Sequence, residues 1–479
     1  MSQTALEWKH RAEGALRAGR RDEAVVAYRE YLALEPGDAD GWFNLGYVLR
    51  AARRFEPAVE AYRTALANGV ARPEEVHLNL AVILSEHCGR DAEARTELAA
   101  ATRANPAFLP AWLNLGNLLE DLGDDAGARE AYTAALAVDP ACGRAHGRRG
   151  MVDLHRGDAE GAAARLEALL RERVVFRADD QAEVLFALGH ALDAVGDFDR
   201  AFSAIDQANR LRTHRVRYDP RAAERLIDAT IAAGPARLDP VPADGLEPVF
   251  ICGLFRSGST LAEVLLERRF GLAAGGELEA IPAIAVELGL PLRQDLALLD
   301  QPTLAAQRAA YGAELARLHG TAGRVIDKRC DNFLQIGLIR ALFPAAPIIH
   351  TRRDPRDTLV SLLFGNFDDS MAYTFSADAA AHWIRQYQRL MAHWRGRFGE
   401  TIFDLDYEAL VSDAEPVMAA LGGYLGINPV AGGQTPAPVD RAVRTLSSWQ
   451  VRQPLHRRSA GRWQSYRKFL DPILRSLEA

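Results

Sequence analysis

One residue pattern recurs six times within roughly the first 210 positions, and few folds can accommodate it. A small residue is followed four places on by an aromatic or aliphatic one, and three places later by another. The sets are Ala24/Tyr28/Tyr31, Ala58/Tyr62/Ala65, Ala94/Leu98/Ala101, Ala128/Tyr132/Ala135, Ala162/Leu166/Leu169 and Ala201/Ile205/Ala208. Successive sets begin 34, 36, 34, 34 and 39 residues apart. The spacing i, i+4, i+7 puts each set on one helical face. Trp42-x-x-Leu45-Gly46 returns as Trp112-x-x-Leu115-Gly116, and Pro36, Pro106 and Pro140 close helices at matching phases. Small residues at Gly46, Gly116, Gly150 and Gly189 let paired helices approach closely. A pair this short cannot bury its apolar face alone, so neighbouring pairs must stack, and the stack leaves a concave groove.

One further helix is expected over Asp219–Ala233, and the proline- and glycine-rich stretch Gly234–Pro248 reads as a linker. From Val249 the pattern changes. Strand-like apolar runs at Val249–Cys252, Leu272–Ala274, Arg324–Asp327, Pro347–Thr351 and Thr401–Leu405 alternate with helical stretches. Those stretches are Thr260–Glu267, Leu304–Leu318, Phe333–Leu342, Thr358–Phe364, Ala377–Arg397 and Ala414–Leu425. Alternation of this kind predicts an α/β domain with a parallel sheet covered on both faces. The expected organisation is therefore multidomain: a helical array over 1–215, a helix and linker over 216–246, and an α/β domain over 247–479.

The first strand of that domain runs into Gly253-Leu254-Phe255-Arg256-Ser257-Gly258-Ser259-Thr260. The two glycines have P-loop spacing, with Ser259 where a P-loop has lysine. Backbone N–H groups at a helix N-terminus can still cradle an anion, and Arg256 supplies a cation beside them. The plainer reading is a strand-to-helix turn with hydroxyl caps. A second cluster, Arg352-Arg353-Asp354-Pro355-Arg356-Asp357, follows the strand ending at Thr351 and leads into a helix carrying Ser361. Its arginines suit bidentate contact with a second phosphate. Alternatively they form a salt-bridged surface turn with Asp354 and Asp357.

The 34-residue period resembles tetratricopeptide repeats, which implies an all-α solenoid whose groove binds a peptide or protein partner. A role limited to dimerisation or spacing remains the alternative, and a homodimer is open on that reading. The two arginine-bearing loops, with Lys328 after a third strand, resemble the sulfotransferase family. The resemblance runs from about Glu247 to Ile473 and rests on Arg256-Ser257-Gly258-Ser259-Thr260-Leu261 and on Arg353-Asp354-Pro355-Arg356-Asp357-Thr358-Leu359-Val360-Ser361. The stretches DKRCDNFLQIGLIRALFP and WQVRQP…AGRW look like those of bacterial repeat-bearing sulfotransferases.

The resemblance implies a P-loop-like domain that takes 3′-phosphoadenosine 5′-phosphosulfate as co-substrate, releases 3′,5′-diphosphoadenosine and requires no metal. It assigns Arg256, Ser257, Gly258, Ser259 and Thr260 to the 5′-phosphosulfate, and Arg353 and Ser361 to the 3′-phosphate. Tyr407 and Arg452 are implied as further nucleotide contacts. Lys328 is followed by Arg329-Cys330-Asp331, without the histidine of the cytosolic type. The chain is instead similar to the protein-tyrosine type, whose general base maps by count onto Glu277. Glu277, Arg256 and Lys328 are thus the expected catalytic residues. The expected acceptor is a hydroxyl of a peptide, a protein or a carbohydrate, with tyrosine favoured. Arg268-Arg269 and Arg329-Cys330 stand where relatives usually read His-Pro and Met-Pro.

Other classes are weighed against this. A P-loop kinase or nucleotide hydrolase wants a loop lysine and an acidic metal ligand, for which Asp327 is the candidate. A non-catalytic repeat scaffold with an inert second domain is the other alternative. The net charge of −7 and pI near 6.0 argue against a broad nucleic-acid face. Cys88, Cys142, Cys252 and Cys330 form no CxxC, which points to a reducing, cytoplasmic setting. No window is apolar enough for a membrane span. His146, His155 and His190 read as surface or satisfied helix residues.

Overall fold

The computed structural model describes residues 2–172, 174, 176–233, 248–291, 296, 299–320, 324–430, 457 and 459–477. Among the described residues thirteen helices precede the sheet. They are α1 (Gln3–Arg17), α2 (Arg21–Leu34), α3 (Ala39–Ala51), α4 (Phe55–Ala67), α5 (Pro73–Glu86) and α6 (Asp91–Ala104). Next come α7 (Leu109–Leu122), α8 (Asp125–Val138), α9 (Gly143–His155) and α10 (Ala159–Arg171). The last three are α11 (Ala178–Ala194), α12 (Phe198–Thr213) and α13 (Pro220–Ala232). Contacts divide the chain into two compact units, one running through Arg156 and the other beginning at Gly157.

In the first unit the repeat pattern explains the packing. All the small and aromatic positions of the repeated sets there are buried. A Cβ on Gly46 would sit 2.8 Å from the Tyr62 ring, and one on Gly116 2.4 Å from the Tyr132 ring. The glycines of the two Trp-x-x-Leu-Gly motifs thus make room for the tyrosine on the partner helix. Trp42 Nε1 donates to the Pro36 carbonyl at 2.8 Å, and Trp112 Nε1 to that of Pro106 at 2.9 Å. His146 occupies the same phase and uses Nε2 on the Pro140 carbonyl at 2.9 Å. Asp38 and Asp124 cap α3 and α8 by accepting from the N–H of Gly41 and Gly127.

In the second unit Asp158 and Asp197 cap α10 and α12 in the same way, accepting from Gly161 and Arg200. A five-stranded parallel sheet follows: β1 (Val249–Gly253), β2 (Ala273–Ala274), β3 (Val325–Lys328), β4 (Ile348–Arg352) and β5 (Ile402–Asp406). Its order is β2-β3-β1-β4-β5. Each strand lies within one residue of its expected ends. The helices are α14 (Ser259–Phe270), α15 (Ala280–Glu287), α16 (Gln301–His319), α17 (Ile336–Leu342), α18 (Pro355–Leu363) and α19 (Ala377–Phe398). They continue with α20 (Tyr407–Ser412), α21 (Ala414–Leu425) and α22 (Trp463–Arg475).

One face of the sheet packs Val249, Ile251, Ile326, Ile349 and Leu405 against Ala262 and Leu266 of α14 and Met418 and Leu421 of α21. On the other face Phe250 meets Tyr311 of α16 and Phe343. After β3 the chain crosses to β4 on the far side of β1, so the carboxyl ends of β1, β3 and β4 surround a crevice where such sheets bind ligands. Among the described residues no helix is long and apolar enough to cross a membrane.

Candidate active site

The glycine loop leaves β1 at Gly253 and enters α14 at Ser259. Arg256 takes φ +71° and Gly258 φ +100°. Gly258 is the N-cap of α14 and offers no side chain to the first N–H groups of that helix. A Cβ there would lie 2.6 Å from Cδ2 of Tyr407, which fits only glycine against that ring. Ser257 Oγ donates to the Leu254 carbonyl and lies 2.7 Å from Thr351 Oγ1 on β4. Ser259 Oγ is 3.1 Å from Sγ of Cys330, and Thr260 is buried beside it.

The two arginine loops meet. Arg256 Nε donates to Ser361 Oγ at 2.9 Å, and Arg353 donates to the Arg256 carbonyl at 3.0 Å. The Arg353 guanidinium lies 5.0 Å over the Tyr407 ring and also donates to the Ser459 carbonyl. Burial, then repulsion from Arg353 and Arg462, pushes Arg256 down to about 10. Burial likewise lowers Arg353, with Arg462 adding to the effect. Several cations therefore share one poorly hydrated spot, an arrangement that a multiply charged anion would relieve. The rest of the arginine cluster behaves as the surface-turn reading expects. Arg356 pairs with Asp354 at 2.7 Å, and exposed Arg352 reaches Asp404 at 3.5 Å. Arg353, the member of the cluster that the resemblance assigns to the 3′-phosphate, turns toward the loop.

Beside the loop, Ile251 of β1 is in register with Lys328 of β3. Lys328 is buried, and its Nζ donates to Glu277 Oε1 at 2.6 Å, while Glu277 is 36% exposed. Burial alone would lower the Lys328 ammonium, but the Glu277 and Glu263 charges outweigh it and leave it raised. The turn carrying Glu277 is held in place from β3 and α14. Gly275 N donates to the Ile326 carbonyl, Lys328 N to the Gly276 carbonyl, and Gly276 N to Glu263 Oε1. Cys330 starts a 3-10 turn over Cys330–Gln335, so the chain keeps an ordered path there without the Met-Pro pair. Arg452 lies outside the described residues.

Sequence reasoning did not give a role to Arg462 or Asp193, and read Asp357 as a carboxylate of the surface turn. Asp357 accepts from the N–H groups of Gly461 and Trp463, at 2.6 and 2.8 Å. Arg356 stacks on Trp463 at 4.0 Å, and Arg462 lies 4.3 Å over the Phe364 ring. The AGRW stretch was the available signal, but nothing in it says which strand end it folds against. Asp327, offered as a metal ligand for a kinase, points away from the loop. It sits opposite Phe250 in register, holding Tyr311 and Asn332, on the face of β3 that Lys328 does not share.

Comparison with known proteins gives a family match for each part of the chain. Residues 248–430 match the model of the sulfotransferase family, and residues 11–84 and 110–142 match tetratricopeptide repeats. The chain carries tetratricopeptide repeats at its N-terminus and a sulfotransferase-family domain in its C-terminal region. It is 27% identical over 447 residues to an uncharacterized protein of Aquifex aeolicus (strain VF5), covering 90% of this chain and 58% of that one. It is 30% identical over 221 residues to protein FlbA of Caulobacter vibrioides, covering 44% of this chain and 36% of that one. The chain thus spans about a third to three-fifths of the length of these relatives. Among solved structures, MamA aligns with TM-score 0.33 at 16% identity, covering 42% of this chain and 97% of that one. PilF of Pseudomonas aeruginosa aligns with TM-score 0.34 at 23% identity, covering 44% and 92%.

Proposed function

We propose that the protein transfers a sulfuryl group from 3′-phosphoadenosine 5′-phosphosulfate to an acceptor hydroxyl. The observation that carries this reading is the meeting of Arg256, Arg353 and Ser361 at the carboxyl ends of β1 and β4, with Arg256 depressed by burial and then by the neighbouring arginines. That cluster and the N-cap Gly258 fit a nucleotide with two phosphate groups. The donor supplies the sulfur: its bond to the bridging oxygen of the 5′-phosphosulfate breaks as a bond to the acceptor oxygen forms.

The N–H groups of Ser257–Thr260, with the Ser259 and Thr260 hydroxyls, hold the 5′-phosphate. Arg353 and Ser361 hold the 3′-phosphate, with Tyr407 and Arg452 as further contacts. Arg256 and Lys328 stabilise negative charge building on the bridging oxygen. Glu277 takes the acceptor proton, and its pairing with Lys328 places proton acceptor and cation side by side. The acceptor is a peptide, protein or carbohydrate hydroxyl, with tyrosine first. The repeats recruit the acceptor or a protein partner, and the protein works in the cytoplasm without a metal. The position of Asp327 disfavours the kinase alternative.

Calorimetry with 3′,5′-diphosphoadenosine against ATP–Mg²⁺ tests the donor. Tight binding of the first and weak binding of the second is expected; the reverse preference overturns the reading. With labelled donor, Arg256→Ala and Glu277→Ala should each lower turnover on the order of 10²–10³-fold, the usual effect of losing one charge stabiliser or one catalytic base. Nucleotide affinity should survive better in Glu277→Ala. Wild-type turnover in Glu277→Ala removes it as the base.

A further inference from the structure

The helix pair α11–α12 carries the last copies of the repeat pattern, yet it packs inside the unit that holds the sheet. Asp193, one residue from the end of α11, faces that site. Its carboxylate pairs with Arg462 at 3.0 Å and accepts from the Tyr466 hydroxyl. Arg462 lies over the Phe364 ring, and its charge bears on both Arg256 and Arg353. The segment 459–466 is thus a strap fixed at three places. Arg353 holds it at the Ser459 carbonyl, Asp357 at two backbone N–H groups, and Asp193 at Arg462 and Tyr466. His190, one turn earlier on α11, donates Nε2–H to the Phe364 carbonyl at 2.8 Å and fixes the ring under Arg462. Burial pushes His190 down to about 4, so it is neutral and serves as a plain donor.

We propose that Asp193 is a positioning residue for the nucleotide pocket, holding Arg462 and the strap against the two anion-binding arginines. The proposal rests on the sulfuryl-donor reading above. Without Asp193, Arg462 loses its paired carboxylate while still facing the repulsion of Arg256 and Arg353. It is then driven outward and takes the strap with it. The direction of the effect separates this role from bulk electrostatics. Removing a carboxylate near an anion site should tighten anion binding if charge alone matters. Removing a group that seats a pocket arginine should weaken it.

The test uses the full chain, with calorimetric affinity for 3′,5′-diphosphoadenosine and amide hydrogen exchange over 459–466. Asp193→Asn should weaken binding roughly tenfold, the low end of the effect of losing a hydrogen-bond partner behind a metal ligand. Exchange at Gly461 and Trp463 should speed up. Asp193→Glu should recover most of the affinity. Phe469→Ala is the control for docking alone, since Phe469 stacks on Phe202 of α12 at 4.5 Å. It should lower the unfolding temperature and leave affinity near wild type. Unchanged or tighter binding in Asp193→Asn, unchanged exchange in the strap, no rescue by glutamate, or an equal loss in Phe469→Ala each overturns the proposal. Failure of the wild type itself to bind the diphosphoadenosine marks instead the failure of the donor reading, and the proposal falls with it.

Discussion

Arg256 holds a left-handed backbone at φ +71°, where a side chain costs about 1–2 kcal/mol that glycine does not incur. The strain buys a position: from that turn the guanidinium reaches Ser361 across the loop. Arg256→Gly should therefore leave the urea midpoint of the second unit unchanged or higher while nucleotide affinity falls. A variant that is clearly less stable would show that the arginine is structural. Gly258 is the opposite case, since its φ of +100° and the 2.6 Å approach to Tyr407 leave no room for a methyl group. Gly258→Ala should lower stability by about 1–3 kcal/mol, the usual cost of a disallowed backbone or an overpacked contact. Adding Tyr407→Ala should recover only the contact part. The arginines of both loops were legible because each sits within a few residues of a strand end and a glycine or proline. Arg462 was not, because it lies more than 100 residues from Arg353, and local pattern carries no information about that pairing.

At the scale of elements, β3 shows how strand alternation divides chemistry. Lys328 faces the glycine loop and Glu277, whereas Asp327 faces Tyr311 and Asn332 in the interior. Burial raises Asp327 from 3.8 to about 7. Its folded form thus keeps a proton that the unfolded chain releases. The sign follows: stability is fullest at low pH, falls as pH rises from 3.8 toward about 7, and stays reduced above that. Asp327→Asn has no such proton, so the difference in urea midpoint between variant and wild type should shift in the variant's favour across this window. Parallel curves would mean that Asp327 is ionised in the fold. Taking the difference cancels Glu120, which burial also raises to about 7. The strands were legible as short apolar runs of ordinary strand length. α15, α20 and α22 were not. Ala280–Glu287 is apolar all round and contains Pro282, six residues of α20 are too few to show a 3.6-residue period, and Pro472 interrupts α22.

At the scale of the whole chain, the repeat period does not announce where the repeats stop being independent. Ala201, Ile205 and Ala208 bury the same face as their counterparts, so α12 reads as one more repeat helix. Other side chains of α11, α12 and the turn after it tie it to the sheet-bearing part. Asn209 Nδ2 donates to the Leu363 carbonyl at 2.9 Å, Arg215 pairs with Asp369 at 2.7 Å, and Tyr466 meets Phe198 edge-on. The compact units divide after Arg156, well before the boundary expected at 215. A chain beginning at Gly157 should therefore unfold cooperatively and bind 3′,5′-diphosphoadenosine as the full chain does. A chain beginning at 216 strips Phe364, Tyr466 and Phe469 of their cover and leaves the Leu363 and Phe364 carbonyls without these donors, each such loss costing about 1–3 kcal/mol when the group stays buried. Against a typical total of about 5–15 kcal/mol, that is enough to unfold the domain or abolish its binding. Equal affinity and melting temperature in the two truncations would show that α11 and α12 are passengers, and that the array ends where the repeat pattern does.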